Sequence, residues 1–394
     1  MKILLITPLY PGYLEQSKLD ATYAVHYVAR EWTRDHDIRV IRPWPYYPRI
    51  LSAFIGSEIM HRFSIKDQFT LDDVKVFRAP ILKIPKIDYG NYAIRSVAEE
   101  FMETFGQNEG PDVIICDNIN PSIYIGEIIA NKYGSVLIAS LHNTDIKYLS
   151  NRSGYRKYMK IDDRVSKIVF RSEAIRQRFT DLYDGNKNET DYFTSLFGIN
   201  KSDIMSQDKI DHKIISSNKT IVVASSLTKL KKVDVLIDAF VRIKNKDGYI
   251  LKIIGDGPER TRLKKQVNSL KAEDCVYFEG AKTREEVLCL MEQSDIFALV
   301  SSPETFGLVY IEAMAKGCIT IGSKGEGIDG VIVDNENGFL CRPSDTQDLQ
   351  SVLKKAMNLS SCERERLINN ALVTASSLSY ESLANEFIKE LKNE

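Results

Sequence analysis

The sequence lacks a long hydrophobic run. No stretch of its 394 residues approaches the roughly 20 apolar residues that a membrane-spanning helix needs. The N-terminal apolar run at residues 2–7 is cut by Pro8 and has neither the length nor the cleavage site of a signal peptide, so it predicts a first buried strand. We therefore expect a cytoplasmic protein without a membrane span.

An excess of charge of either sign is also absent. The 53 basic and 54 acidic residues give a net charge of -1. This balance leaves no global positive field, which argues against a general nucleic-acid binder. We expect no nucleic acid among the partners of this protein.

Metal-binding and redox motifs are missing as well. The six cysteines show no C-x-x-C spacing and no nearby His pair, which favours reduced core thiols over a disulfide framework or a zinc site. Asp162 and Asp163 are adjacent rather than spaced as DxD, and we expect both to be surface acids. The sequence predicts no metal site and no cofactor.

Instead, the chain alternates apolar runs with helical patterns, as α/β proteins do. Apolar runs at residues 2–7, 38–42, 113–116 and 136–141 predict parallel strands of one domain. A fresh alternation of strands and helices starts at Thr220 and continues into the last quarter of the chain. Because the chain is too long for one core of ordinary size, we expect two doubly wound, Rossmann-like domains.

The polar stretch 201–218 predicts the boundary between these domains. We place the first domain at residues 1–200 and the second at 201–375. Residues 376–394 are helical and charged, with an apolar face that contains Leu383 and Phe387. This face predicts a C-terminal helix that docks on the first domain.

Residues 43–66 break the alternation. They mix aromatic, aliphatic and Arg residues without clean periodicity, which predicts either a flap over the core or an exposed apolar contact surface. A second stretch is strongly basic: Arg152, Arg156, Lys157, Lys160, Arg164, Lys167 and Arg171. Apolar and basic segments together suit an anionic membrane surface, whereas a charge run alone is more often simply solvated.

The stretch 301–317 predicts a strand, a loop and a helix in succession. An apolar run at 296–300 precedes it, and a helical pattern runs from about Leu308 to Lys316. The free amides at the start of such a helix attract phosphate, and the carboxylates of Glu304 and Glu312 are good acceptors for vicinal sugar hydroxyls. The arrangement predicts a nucleotide-sugar site. His142 also follows a strand directly, at a carboxyl strand end where α/β crevices open.

Five segments between Thr220 and Gln350 follow one another in the order and spacing of a known family. They read VVASSLTKLKKVDVLIDAF, IIGDGP, VYFEGAKTREEV, DIFALVSSPETFGLVYIEAMAKG and ENGFLCRP. In these segments the chain resembles the retaining glycosyltransferases of family four, whose Glu-x7-Glu pair matches Glu304 and Glu312. The resemblance implies the GT-B fold, with two Rossmann-like domains that face a central cleft. It thins over the first domain, where SLHNTDI still matches.

The resemblance also implies roles for residues of the second domain. The donor's sugar and diphosphate would lie over Glu304, Phe306, Gly307, Leu308 and Val309, and the ribose would bind Glu312. Lys231 stands where the family holds the diphosphate with a Lys, but Ser226 stands where the family has an Arg, so that guanidinium is missing. Lys229 or Lys232 is an alternative source of charge.

Further implied positions lie elsewhere. Gly255 and Lys282 match loops that line the nucleotide base. His142 matches a His that approaches the donor sugar, where an imidazole can orient a hydroxyl, although a His bonded only locally at a strand end is the alternative. Gly12 is the remaining one of the family's paired glycines after the first strand, whose amides face the phosphates.

We therefore expect a retaining, metal-independent hexosyltransferase that uses a nucleoside-diphosphate sugar, with His142, Glu304 and Lys231 as its catalytic residues. The expected acceptor is a bacterial cell-surface polysaccharide or a lipid-linked glycan intermediate, reached through peripheral contact with the inner membrane. The absence of Arg at position 226 keeps open a non-catalytic partner subunit that binds nucleotide-sugar or glycan. A GT-B epimerase is the second alternative.

Overall fold

The structure is a computed structural model that describes residues 1–14, 16, 23–47, 67–84, 87–105, 110–216 and 218–392. Residues 48–66, most of the segment expected to be a flap or a contact surface, lie outside the described residues. Within the described ranges, no helix combines the length and the apolar character needed to cross a lipid bilayer.

The described strands and helices alternate along most of the chain. The strands are β1 Lys2–Ile6, β2 Asp37–Tyr46, β3 Asp67–Leu71, β4 Val74–Leu82, β5 Val113–Asp117, β6 Val136–Leu141, β7 Val165–Phe170, β8 Tyr192–Thr194, β9 Thr220–Ala224, β10 Ile250–Ile254, β11 Val276–Gly280, β12 Ile296–Ala298, β13 Ile319–Ser323 and β14 Phe339–Cys341. The helices are α1 Ala24–Trp32, α2 Asn91–Phe105, α3 Tyr124–Tyr133, α4 Asn143–Leu149, α5 Arg152–Met159, α6 Glu173–Thr180, α7 Gln207–Ile215, α8 Val233–Val241, α9 Arg260–Ser269, α10 Arg284–Glu292, α11 Leu308–Ala315, α12 Thr346–Met357, α13 Ser361–Ser377 and α14 Tyr380–Lys392.

The chain forms two compact units. Unit 1 comprises residues 1–171, 175–195 and 384–394, and its eight-stranded sheet has the order β3-β4-β2-β1-β5-β6-β7-β8. All neighbouring strands are parallel except β3 and β4. Strand β2 continues to Tyr46, well past the predicted end at residue 42, because it pairs with β4 along its whole second half.

Unit 2 comprises residues 172–174 and 196–383. Its six parallel strands have the order β11-β10-β9-β12-β13-β14. The chain builds outward from β9 through β10 to β11, then returns to place β12 on the other side of β9. This is the doubly wound topology, so the predicted α/β fold class is confirmed for both units.

The last helix carries the chain back to unit 1. The indole Nε1 of Trp32 donates to the carbonyl of Ala384 at 3.1 Å, and the ring of Phe387 lies between Trp32 and Phe193, with centroids 5.1 and 5.2 Å away. The predicted docking of the C-terminal helix on the first domain is thereby confirmed. The apolar face of α14 supplies the contacts, as an amphipathic helix requires.

Two predictions about which side chains are exposed were wrong. Asp162 is buried and accepts a 2.5 Å hydrogen bond from the hydroxyl of Tyr183, so of the adjacent acid pair only Asp163 is exposed. Cys289 and Cys362 are exposed rather than core thiols. Adjacent residues on a helical turn point in different directions, so Asp162 can be buried while Asp163 is exposed.

Candidate functional site

The strand order of unit 2 brings two distant loops together. Strands β9 and β12 are neighbours whose following connections lead to opposite sides of the sheet, and the crevice at such a switch point is where α/β folds bind ligands. The main-chain amide of Ser302, after β12, donates to the carbonyl of Leu230, after β9, at 2.8 Å. The candidate site is built on these two loops.

Lys231 and Glu304 meet at this point. The Nζ atom of Lys231 lies 2.6 Å from Oε2 of Glu304, and the hydroxyl of Ser301 donates to the same oxygen at 2.7 Å. The side chains of Lys231 and Glu304 are 24% and 12% exposed, so solvent screens the pair only partly. An anionic ligand therefore has access to a lysine that is held in place by a carboxylate.

A second carboxylate, which the sequence analysis missed, fixes the loop that carries Glu304. Glu326 is buried, and its two oxygens accept from the Ser302 hydroxyl at 2.7 Å and from the Glu304 amide at 2.8 Å. The next residue, Gly327, donates its amide to the Glu304 carbonyl at 3.2 Å. A Cβ at position 327 would lie 2.0 Å from the carbonyl oxygen of Thr305, so this close approach requires glycine.

Helix α11 begins directly after this loop. Gly307 precedes it with a φ of 83°, a left-handed conformation that favours glycine. In the part of the chain that the structure describes, the amides of Gly307, Leu308 and Val309 have no hydrogen-bond acceptor. Unsatisfied amides and the helix dipole make this end of α11 a favourable place for a phosphate.

Glu312 lies one turn further along α11 in a different environment. It is 8% exposed, and its Oε1 accepts from Nε of Arg284 at 2.7 Å, while the same guanidinium binds Asp203 at 2.7 Å. Burial raises the pKa of Glu312, and the charge of Arg284 opposes that rise. Among the described contacts none joins Glu312 to Glu304, and the sequence analysis did not identify the partners Arg284 and Asp203.

The other unit 2 residues that the sequence predicts to bind the donor lie on loops that follow strands of the same sheet, or in the core under those loops. Ser226, after β9, is exposed, and Lys282, after β11, is half-buried. Gly255, after β10, has a φ of 129°, and a Cβ there would lie 1.9 Å from the Ser225 carbonyl oxygen. Phe306 is buried against Phe197 with ring centroids 6.5 Å apart, so its contribution to the loop is core packing.

Unit 1 holds a buried polar centre around Asp117, at the carboxyl end of β5. Its carboxylate is fully buried and accepts from four neighbours: the Thr7 hydroxyl at 3.0 Å, the Ser140 hydroxyl at 2.8 Å, His142 Nε2 at 2.9 Å and Arg171 at 3.1 Å. Despite burial, His142 and Arg171 hold the pKa of Asp117 well below its usual value. A carboxylate so bonded stays charged and fixes the groups around it.

His142 is therefore oriented by this centre. It caps α4, and its own amide donates to Asp145 at 2.8 Å. Burial raises the pKa of Asp145 to about 6. His142 is predicted from the sequence and Asp117 is not, although an acid that ends an apolar strand, as in VIICD, is a usable signal. Arg171, counted there among surface bases, is buried.

Gly12 lies after β1 in unit 1. It packs under the indole of Trp44, and a Cβ at this position would lie 1.7 Å from the ring. Its amide donates to the side chain of Gln16 at 2.6 Å, and its carbonyl accepts from Arg78 at 3.2 Å. The glycine is thus required by packing, and its role toward a phosphate stays a prediction.

Comparison with known proteins identifies a family region. Residues 205–373, all within unit 2, match the family described as glycosyl transferases group 1. They contain Lys231, Glu304, Glu326 and the start of α11. The matched region is therefore the one that carries the candidate site of unit 2.

Individual relatives agree with this match. The chain is 33% identical over 213 residues to N-acetyl-alpha-D-glucosaminyl L-malate synthase of Bacillus anthracis, a match that covers 53% of this chain and 55%, about half, of that protein. It is 24% identical to an uncharacterized glycosyltransferase of Methanocaldococcus jannaschii over 82% of this chain and 89% of that one.

A solved structure agrees in fold over the whole chain. HepE of Anabaena, solved in complex with UDP and glucose, has a TM-score of 0.70 at 20% identity, and the match covers 100% of both chains. At this identity the likeness concerns the fold. The family region, the relatives and the fold together confirm the resemblance seen in the motifs: residues 205–373 match the group 1 glycosyl transferases, and the chain resembles the family-four glycosyltransferases with the GT-B fold.

Proposed function

We propose that this protein is a retaining hexosyltransferase that moves a sugar from a nucleoside-diphosphate carrier to a hydroxyl acceptor. The observation that carries the proposal is the ion pair of Lys231 and Glu304, 2.6 Å apart at the switch point of unit 2 and next to the start of α11. A cation and unsatisfied amides at one loop suit a diphosphate, and a carboxylate beside them suits sugar hydroxyls.

In this proposal the bond between the anomeric carbon and the diphosphate oxygen breaks as the acceptor hydroxyl attacks from the same face. Lys231 and the amides of Gly307 to Val309 neutralise the negative charge that develops on the leaving diphosphate. The departing diphosphate takes up the proton that the acceptor hydroxyl loses. Attack from the same face retains the anomeric configuration without a protein nucleophile, and no step needs a metal ion.

His142 acts in unit 1 as a group that orients a hydroxyl of the donor sugar. Its bond to Asp117 fixes the imidazole ring, because the carboxylate accepts from Nε2 and is itself held by Arg171. Fixed orientation matters more than basicity in such a role, since a preorganised group needs no rearrangement during reaction.

The proposed acceptor is a bacterial cell-surface polysaccharide or a lipid-linked glycan, reached in the cytoplasm at the inner membrane. Support comes from α5 and the residue that follows it, where Arg152, Arg156 and Lys160 are exposed beside a shallow depression of about 530 Å³. Exposed basic residues are attracted to anionic lipids. The relatives' names include an L-malate synthase and an alpha-monoglucosyldiacylglycerol synthase, so acceptors differ among them.

The test is acceptor-dependent release of nucleoside diphosphate, measured by chromatography with a panel of nucleotide sugars and glycan or lipid-linked acceptors. Because HepE was solved with UDP and glucose, UDP-sugars are the first donors to assay. Release that requires an acceptor, with a product of the donor's anomeric configuration by NMR, is expected. Conversion of the donor without an acceptor indicates an epimerase, and binding without release under all conditions indicates a non-catalytic partner, the alternative that Ser226 suggests.

A further inference from the structure

A pair of arginines lies on β2 and β4, on one face of the sheet of unit 1. Arg42 on β2 and Arg78 on β4 are direct partners in the parallel register of these strands, so their side chains project from the same face. Strand β1 ends at Ile6, opposite Ile41, and the Thr7 amide still donates to the Ile41 carbonyl at 3.1 Å before the chain turns away. Both arginines lie next to the loop that follows β1, since Arg42 donates to the Tyr10 carbonyl and Arg78 to the Gly12 carbonyl.

Trp44 supports both guanidinium groups. It lies two residues after Arg42 on the same face, and the guanidinium carbons of Arg42 and Arg78 lie 4.7 and 5.5 Å from the centre of its ring. Trp44 is itself buried over Gly12. A guanidinium held against an indole by a cation–π contact can still use its N–H groups, which form paired hydrogen bonds to a carboxylate or phosphate.

The contacts of Arg42 are unusual for a partly buried charge. Its Nε donates to the Tyr10 carbonyl at 2.8 Å and its NH1 to the Pro43 carbonyl at 2.6 Å. Both acceptors are neutral, and among the described residues no carboxylate pairs with Arg42. Burial lowers the pKa of Arg42 to about 10, an effect that Tyr89 opposes and Arg78 adds to, so the group is still charged at neutral pH.

A charge in such a place has a physical cost. Charges that leave water are normally paired with an opposite charge, and a partly buried charge without such a partner is a candidate ligand-binding group. Two carbonyls and the Trp44 ring hold Arg42 in place. The side chain is half-exposed, so a ligand from solvent can reach its remaining N–H groups. Rigidity combined with an open edge is what an anion-binding arginine needs.

We propose that Arg42, supported by Trp44, binds an anionic group of the acceptor, either a phosphate or a carboxylate. The identification of the ligand with the acceptor rests on the proposed function, whereas the anion site does not. Arg42 and Trp44 belong to unit 1, whereas Lys231 belongs to unit 2. The proposal narrows the acceptor to molecules that carry a negative charge.

The two tryptophans of the chain provide a selective probe. Trp32 and Trp44 both belong to unit 1, so intrinsic tryptophan fluorescence reports on this unit and not directly on the donor site. An anion that binds Arg42 changes the environment of the stacked Trp44. Titrations with inorganic phosphate, pyrophosphate and malonate should be followed by this fluorescence. The anion that binds most tightly then shows whether the site prefers a phosphate or a carboxylate.

We expect a saturable fluorescence change in the parent that is lost in Arg42→Gln. Arg42→Lys should retain the change with affinity weaker by about tenfold, because Lys offers charge without the paired geometry. The matched control is Arg39→Gln, on the same strand, whose guanidinium pairs with Asp37 at 2.9 Å and should not affect the titration. Circular dichroism checks that each variant is folded.

The proposal is overturned if the parent shows no saturable change with any of the three anions, or if Arg42→Gln responds as the parent does. If the anion binds as expected, its relation to the acceptor is tested separately. The best anion should then raise the acceptor KM of the parent and leave the donor KM unchanged. An anion that binds at Arg42 without affecting the acceptor KM contradicts the acceptor assignment, and glycosyl transfer itself is judged independently by nucleoside diphosphate release.

Discussion

The substitution Asp117→Asn should destabilise unit 1 strongly. The carboxylate of Asp117 is fully buried and is the charged partner of Arg171, which is 5% exposed. The amide of Asn has nearly the same shape but carries no charge, and its NH2 group faces donors rather than acceptors. The buried guanidinium of Arg171 is then left without the countercharge that now stabilises it.

The magnitude follows from what is removed. Breaking a buried ion pair by removal of one partner costs about 3 to 5 kcal/mol. This is a large fraction of the roughly 5 to 15 kcal/mol by which a domain is stable. Because the pKa of Asp117 is lowered in the folded state, its stabilisation is fully present above the unfolded pKa of about 3.9 and is lost as pH falls below it. The difference between parent and variant should therefore shrink in acid.

Guanidinium chloride unfolding followed by tryptophan fluorescence measures this effect in unit 1, since both tryptophans lie there. The control is Asp163→Asn, an exposed acid that should change the free energy of unfolding by less than about 0.5 kcal/mol. If Asp117→Asn unfolds at the same denaturant concentration as Asp163→Asn, the buried centre does not stabilise unit 1 and the reasoning fails.

Three further predictions concern the two sites. Glu312→Ala should weaken donor binding by about tenfold or more in calorimetry, because a charge-assisted hydrogen bond to the ribose is lost; unchanged affinity contradicts the ribose assignment. His142→Ala should lower kcat much more than donor affinity, and normal turnover would leave His142 with a local structural role. Asp145→Asn should remove a pH dependence of stability, because the folded pKa of Asp145, about 6, exceeds the unfolded value. As pH falls from 7.5 to 5, the free energy of unfolding of the parent, measured in urea, should rise by about 1 to 2 kcal/mol. The variant should not show this rise. A parent whose stability does not change over this range refutes the burial of a charged Asp145.

The sequence predicted the strands and helices of the candidate site in unit 2 better than the contacts between their residues. The apolar run before Ser301 and the helical pattern from Leu308 are local signals, and both elements are present in the structure. The pairing of Lys231 with Glu304 joins residues 73 positions apart. It depends on β9 and β12 being neighbours, and no local pattern specifies strand order.

Local charge patterns also failed to show which residues point inward. Arg171 belongs to a run of basic residues, yet it lies just past the end of β7 and turns toward Asp117. Glu326 lies in a Gly-rich loop typical of a solvated turn, yet it is buried against the loop that carries Glu304. Both acquire their role from a partner more than 20 residues away, as their bonds to Asp117 and Ser302 show.

The most direct test of the donor site is calorimetric titration with nucleoside diphosphates, UDP first. The parent should bind one of them, and Lys231→Ala should bind it at least about tenfold more weakly, since it loses a charge-assisted contact. Lys229→Ala, which removes an exposed neighbouring charge, should bind nearly as the parent does. Equal affinity of Lys231→Ala and the parent, or no binding of any nucleoside diphosphate by the parent, would contradict the account.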